Sequence, residues 1–299
     1  MWLILTLLSA CFLGFYDVLK KVATRDNAVL PTLWLTTIAG FMLMASLMLG
    51  SLIFPSFMTR HGIAFQALSL QFHGLIFIKS LIVASSWILS FFAIKHLPLS
   101  IVGPIRATSP LWTLLGALLL YSERPNTLQW LGLIIAFASY YSFALLSRKE
   151  GFSIRNNIWL WAVIAATLIS ACSGLYDKCL LQSYALPPLT LQAWFSFYMV
   201  LILGLAVALF WWPKRKKNTP FKWRWSSLGV GILLILADFV YFRAVADPEA
   251  LISVISALRR CSVLISFSMG FILYKEKNLG PKSLALVGVL LGVFLILLS

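Results

Sequence analysis

Ten long apolar stretches alternate with short polar breaks along the chain, near residues 2–23, 31–54, 72–94, 99–120, 128–146, 158–181, 188–212, 227–246, 250–273 and 281–298. Each is close to the ~20 residues that cross a ~30 Å hydrocarbon layer as a helix. Backbone amides in lipid must find partners inside their own segment, so the stretches are predicted to be helices rather than strands. The breaks carry helix-stopping chemistry: Leu97-Pro98, Arg124-Pro125, Pro187-Pro188, Asp247-Pro248 and Gly280-Pro281. Tryptophans gather at segment ends, among them Trp2, Trp130, Trp159, Trp161, Trp211, Trp212, Trp223 and Trp225, where indole rings favour the membrane–water interface. The longest polar stretch runs only from Pro213 to Trp225, too short for an independent domain.

Composition agrees with this pattern. The 299 residues are 61% hydrophobic and 11% charged, against about 25% charged in a soluble domain. Lipid is the solvent that accepts such a surface, so the predicted class is an all-α integral membrane protein. The net charge of +15 does not point to nucleic acid, because no soluble module is present to carry a basic patch. Cys11, Cys172, Cys179 and Cys261 form no Cys-x-x-Cys pair, and His61, His73 and His96 are scattered. That pattern argues against a metal site or a disulfide framework, and the cysteines read as small buried hydrophobes. Leu8-Ser9-Ala10-Cys11 resembles a lipoprotein cleavage box, but no basic residue precedes it and Ile169-Ser170-Ala171-Cys172 repeats it mid-chain. The first helix is therefore expected to be retained. No Gly-x-x-x-x-Gly-Lys-Ser/Thr run occurs, so ATP is not the expected energy source, and no cofactor is expected.

The chain also repeats itself. Gly14-Phe15-Tyr16-Asp17 returns as Gly174-Leu175-Tyr176-Asp177, 160 residues later. Tyr121-Ser122-Glu123-Arg124 returns as Tyr274-Lys275-Glu276-Lys277, 153 residues later, a spacing that also sets Arg106 on Arg259 and Ser109 on Ser262. The common order implies a doubled five-helix unit, with repeats over residues 1–147 and 156–299. Five is odd, so the second copy enters the membrane from the opposite side. The expected architecture is ten transmembrane helices as two inverted five-helix repeats around a central cavity.

Two five-helix halves, each closing its fourth helix on a tyrosine-x-glutamate-basic turn, resemble the EamA-like branch of the drug/metabolite transporter superfamily. The run Ile105-Arg106-Ala107-Thr108-Ser109-Pro110, followed by Leu118-Leu119-Leu120-Tyr121-Ser122-Glu123-Arg124, is similar to that family's fourth-helix signature. The resemblance implies a carrier whose halves enclose a cavity open alternately to each side, exporting or exchanging small metabolites or drugs. The second half departs in having Val263 where Pro110 stands, which removes the reason to expect a kink in the ninth helix. Competing readings are a membrane-embedded lipid-modifying enzyme, a broad-specificity drug efflux carrier and a channel. The enzyme reading lacks a His-Glu-x-x-His or Gly-x-Ser-x-Gly set and any histidine deep in a segment.

Charge placement sets the expected orientation. Counting loops in order, the odd loops hold sixteen Lys and Arg residues and the even loops hold Arg60 and Arg124 alone. The positive-inside rule puts odd loops in the cytoplasm and both termini outside, opposite to the family habit of cytoplasmic termini. A bacterial inner membrane is the expected location, with the chain acting as a monomer or dimer.

Ionisable residues inside the segments are costly, at roughly 2.5–3.5 kcal/mol each, so they should pair or line water. They are Asp17, Lys79, Arg106, Asp177, Lys178, Asp238, Arg243, Arg259 and Arg260. Depth along the helices allows an Asp17–Arg106 pair, and the repeat then predicts a mirror pair of Asp177 with Arg259 joined by Lys79, Asp238 and Arg260. Two charged clusters result, one toward each face of the cavity, suited to gating or substrate binding. Phe15, Tyr16, Trp87, Phe91, Tyr176, Phe239 and Tyr241 are the aromatics that could line the same cavity; Tyr176 and Trp87 are taken as site residues, Trp87 because it aligns roughly with Asp238 in the repeat. An excess of cations favours a substrate bearing a carboxylate or phosphate, a zwitterionic amino acid included. Proton coupling through Asp238 and facilitated exchange both stay open. Glu123 and Glu276 read as structural, paired with Arg124 and Lys277.

Overall fold

The structure, a computed structural model, describes residues 1–97, 102, 105–106, 108–146, 158–215, 219–262, 264–265, 269 and 279–298. All regular structure among these residues is helical. The helices are α1 (Trp2–Thr24), α2 (Val29–Ile53), the short α3 (Pro55–Arg60), α4 (Leu70–His96), α5 (Ser109–Leu120), α6 (Thr127–Leu146), α7 (Ile158–Lys178), α8 (Pro188–Ala206), α9 (Ser226–Val245), α10 (Ile252–Arg259) and α11 (Leu279–Leu297). By length and composition, six stretches can cross a membrane: Trp2–Thr24, Val29–Ile53, Leu70–Ser90, Ile158–Ser183, Pro188–Lys214 and Ser226–Val245. Ser109–Leu120, Thr127–Ser139 and Val287–Leu297 are shorter apolar helices. The protein is a multi-pass membrane protein.

Polar side chains inside the helices are satisfied locally, as an apolar solvent demands. Thr6, Thr32, Ser80 and Thr167 each donate to the carbonyl four residues back. Others tie helix to helix. Ser9 Oγ donates to the Ala237 carbonyl at 2.7 Å, joining α1 to α9, and Ser86 Oγ to the Ala166 carbonyl at 2.8 Å, joining α4 to α7. Without a hydrophobic drive between helices in lipid, small residues set how close backbones approach. α6 and α11 meet on Gly132 and Gly292: a β-carbon on either would stand 2.6 or 2.7 Å from the other's carbonyl oxygen.

The remaining packing pairs α1 with α9 and α10, α2 with α8 and α9, α4 with α7 and α8, and α5 with α7 and α10. Two helices depart from α geometry at their ends. α7 runs on as a π-turn, Cys179–Ser183, and α8 as a π-turn, Val207–Trp211.

The structure alters several expectations. In the fourth segment a regular helix runs over Ser109–Leu120 with Pro110 in its first turn, and most of residues 98–107 lie outside the described residues. The ninth, expected unkinked for want of a proline, is nonetheless interrupted. α10 stops at Arg259, and the N–H groups of Arg260 and Cys261 bond three residues back, to Ala257 and Leu258, both at 3.0 Å. The break therefore comes from a tightened turn at the paired arginines, not from proline. Cys11 and Cys172 are exposed rather than buried; on an outward apolar face a thiol behaves as one more small hydrophobe. Glu276 and Lys277 lie outside the described residues.

Candidate functional site

A cavity of about 700 Å³ penetrates the bundle, walled by α1, α4, α5, α7, α9 and α10. Its lining holds Asp17, Lys20, Lys79, Trp87, Arg106, Asp177, Asp238, Tyr241, Arg259 and Arg260, with Ser86, Ser90, Ser109, Ser173 and Ser256 between them. At one end the lining reaches Asn27 to Leu30, Phe210, Trp211 and Thr219, so the mouth lies beside the first and seventh loops, the odd-loop end. At the other end the lining stops at Ile252.

Helix packing decides the ion pairs. α4 against α7 brings the Lys79 ammonium onto Asp177 Oδ1, both residues being buried. Lys79 Nζ also stands 4.5 Å from the Phe195 ring centre and 4.9 Å from that of Phe242, so the ammonium is boxed by two aromatic faces and one carboxylate. The other Asp177 oxygen accepts from the Tyr241 hydroxyl at 3.1 Å. The Arg259 guanidinium lies 3.9 Å over the Tyr241 ring and donates from Nη2 to Asp238 Oδ1 at 2.8 Å. Its Nε is buried with no hydrogen-bond partner among the described residues. One relay thus runs Lys79–Asp177–Tyr241–Arg259–Asp238 along the wall. Across from it, Asp17 and Arg106 are both exposed, and the charges of Lys20, Arg106 and Arg260 act on Asp17.

Residues 1–145 match the model of the EamA-like transporter family. That is just under half of the chain, and the match points to a membrane transporter of the drug/metabolite transporter type. The chain also superposes on a solved crystal structure of a protein with a TM-score of 0.72 at 16% identity, covering 98% of each chain. At that identity the likeness speaks for the fold alone. No curated protein matches it in sequence.

The sequence-predicted residues fall as follows. Asp17, Lys79, Trp87, Arg106, Asp177, Asp238, Arg259 and Arg260 line one continuous cavity; Tyr176 does not appear in its lining. A residue beside Asp177 points roughly 100° away around the helix, and the Tyr176 hydroxyl donates to the Leu75 carbonyl at 3.2 Å. The expected Asp177–Arg259 pair is not formed: Lys79 holds Asp177 and Asp238 holds Arg259, because α7 packs on α4. Both expected groups line the same cavity, and only the pairing within the second differs. Glu123 does not rely on Arg124. It is buried and pairs with Lys178 at 2.6 Å. Sequence reasoning named Tyr241 as a possible lining residue but not its bridge between Asp177 and Arg259, and it did not single out the Phe195–Phe242 box. Both need knowledge of which helices touch, which a single chain's pattern does not hold.

Proposed function

We propose that the protein is a secondary transporter, an exporter or exchanger, that moves a small polar metabolite carrying an anionic group by alternating access. The carrying observation is the charge of the cavity. Five cations (Lys20, Lys79, Arg106, Arg259, Arg260) face three carboxylates (Asp17, Asp177, Asp238), an excess of 5 − 3 = 2 positive charges in a cleft walled by apolar helices. A carboxylate or phosphate entering such a cleft gains charge-assisted hydrogen bonds that water alone does not match. Arg259 Nε, without a hydrogen-bond partner among the described residues, gives the ligand a donor to satisfy once that guanidinium turns.

Two inverted five-helix repeats supply the moving parts in this reading. α1 on α9 has its counterpart in α7 on α4, α2 on α9 in α8 on α4, and α5 on α7 in α10 on α1, a correspondence that supports a twofold relation between the halves. The serine bonds from Ser9 and Ser86 fall on the first of these pairs. With odd loops cytoplasmic, the open mouth is the inward-facing one, in the cell membrane.

The test is a thermal-shift screen of the purified protein against amino acids, organic acids and sugar phosphates, followed by counterflow in proteoliposomes. An anionic ligand is expected to stabilise the wild type and Lys214→Ala, and not Arg259→Ala. Stabilisation by neutral or cationic compounds alone removes the anion reading, and flux that fails to saturate removes the carrier.

A further inference from the structure

Behind the floor of the cavity, at its even-loop end, stands a second polar assembly absent from the cavity lining. Its centre is the Glu123 carboxylate, 5% exposed. Oε1 accepts from Lys178 Nζ at 2.6 Å and from the Ile252 N–H at 2.7 Å. Oε2 accepts from Ser253 Oγ at 2.5 Å and the Ser253 N–H at 3.2 Å. Lys178 Nζ also donates to the Ala250 carbonyl at 3.1 Å, and Gln182, in the π-turn beyond, donates to the Val245 and Asp247 carbonyls at 2.8 Å each. The loop between α9 and α10 is therefore held at several points from α7 and the turn after α5.

The backbone aims the carboxylate. Ser122 has φ +49°, a left-handed conformation normally taken by glycine, and the Glu123 N–H returns to the Ala117 carbonyl at 3.3 Å. A β-carbon in that region carries strain that only bonds beyond the turn sustain. A helix N-terminus needs an acceptor, and any nearby oxygen or water serves. What α10 receives instead is a full charge, shared with a buried lysine from another helix. One carboxylate thus joins three separate segments, so its movement loosens all three contacts at once.

We infer that Glu123 is the latch of the even-loop gate: it holds that end shut by bridging Lys178 and the first turn of α10, and its release opens the cavity to the even-loop face. The inference rests on the carrier reading above. The odd-loop end, where the cavity lining runs out to the loops, is the open end of the same cycle.

The test reads accessibility, not transport. In protein whose four cysteines are replaced by alanine, Ser256→Cys reports on the cavity floor, and His61→Cys identifies the even-loop face. A membrane-impermeant maleimide is expected to label Ser256→Cys readily from the odd-loop face and slowly from the other. Adding Glu123→Gln should raise the even-face rate about tenfold or more. Ser253→Ala, which removes one bond of the four, should raise it about two- to threefold, and it carries the test if Glu123→Gln does not fold. Even-face rates unchanged in Ser253→Ala and in folded Glu123→Gln overturn the latch. Labelling needs no substrate, so an opened gate without saturable flux leaves the latch standing and sinks the carrier reading instead.

Discussion

Asp177→Asn isolates the strongest interaction in the cavity wall. Lys79 is 2% exposed and Asp177 4%, and the carboxylate is the ammonium's ion-pair partner. Removing one member of a buried pair typically costs about 3–5 kcal/mol, because the other charge is left uncompensated. Two effects soften the loss here. The Phe195 and Phe242 faces at 4.5 and 4.9 Å keep roughly 0.5–2 kcal/mol of cation–π attraction. The Asn carbonyl also still offers Lys79 a neutral acceptor. The pair term is the larger, so a net destabilisation of about 2–4 kcal/mol is expected. Lys79→Met should cost less, since Asp177 can take a proton and keep its bond from Tyr241. The double variant Lys79→Met/Asp177→Asn removes both charges, so neither is left buried without its partner. It should therefore be more stable than Asp177→Asn alone. The assay is thermal unfolding in detergent for wild type, both single variants and the double. Single losses that simply add in the double variant would refute the argument, for they would mean that the two groups do not depend on each other in the folded protein.

Two other outcomes follow from the same geometry. Gly292→Leu drives a side chain into the Gly132 carbonyl, 2.7 Å from its first carbon, and should lower stability by about 1–3 kcal/mol in the same unfolding assay, the usual range for overpacking. Arg259→Lys keeps the charge but loses the planar group lying 3.9 Å over Tyr241; affinity for an anionic ligand should fall about tenfold by titration calorimetry, the sign of a lost bidentate or stacked contact, while unfolding shifts little.

Much of the fold was legible in the sequence because lipid imposes its own ruler. Segments near 20 residues with prolines and tryptophans at their ends admit few other readings, and α1, α2, α4 and α7 to α9 fall within a few residues of the expected bounds. The charged positions were legible for the same reason, since an ionisable residue in an apolar run must face water or a partner. Partner choice was not legible. The repeat relates backbones, and it suggested Arg259 for Asp177 by analogy with Arg106 and Asp17. Yet Lys79 reaches Asp177 first because it stands on α4, directly against α7, while Asp238 on α9 takes Arg259. The Glu123 assembly was hidden more deeply. Its neighbours Lys178 and Ser253 lie 55 and 130 residues away, and the adjacent Arg124 offered a simpler partner that the left-handed turn at Ser122 excludes by turning the carboxylate inward.

The two polar assemblies meet at one peptide bond. Asp177 faces the cavity and pairs with Lys79, while Lys178, the next residue, faces the closed end and pairs with Glu123. Both sit in the last turn of α7, just before the π-turn that begins at Cys179. Neighbouring residues on a helix point about 100° apart, so one helix end presents a cation to Glu123 and an anion to the cavity. A ligand oxyanion that takes Lys79 from Asp177 removes the bond fixing that turn from the cavity side. The π-turn, with its wider winding, is where the register of α7 yields most easily. Any roll or shift there moves Lys178 relative to Glu123 and to the first turn of α10. Coupling between an occupied cavity and an opened gate then needs no long path through the bundle, because a single helix end carries both contacts.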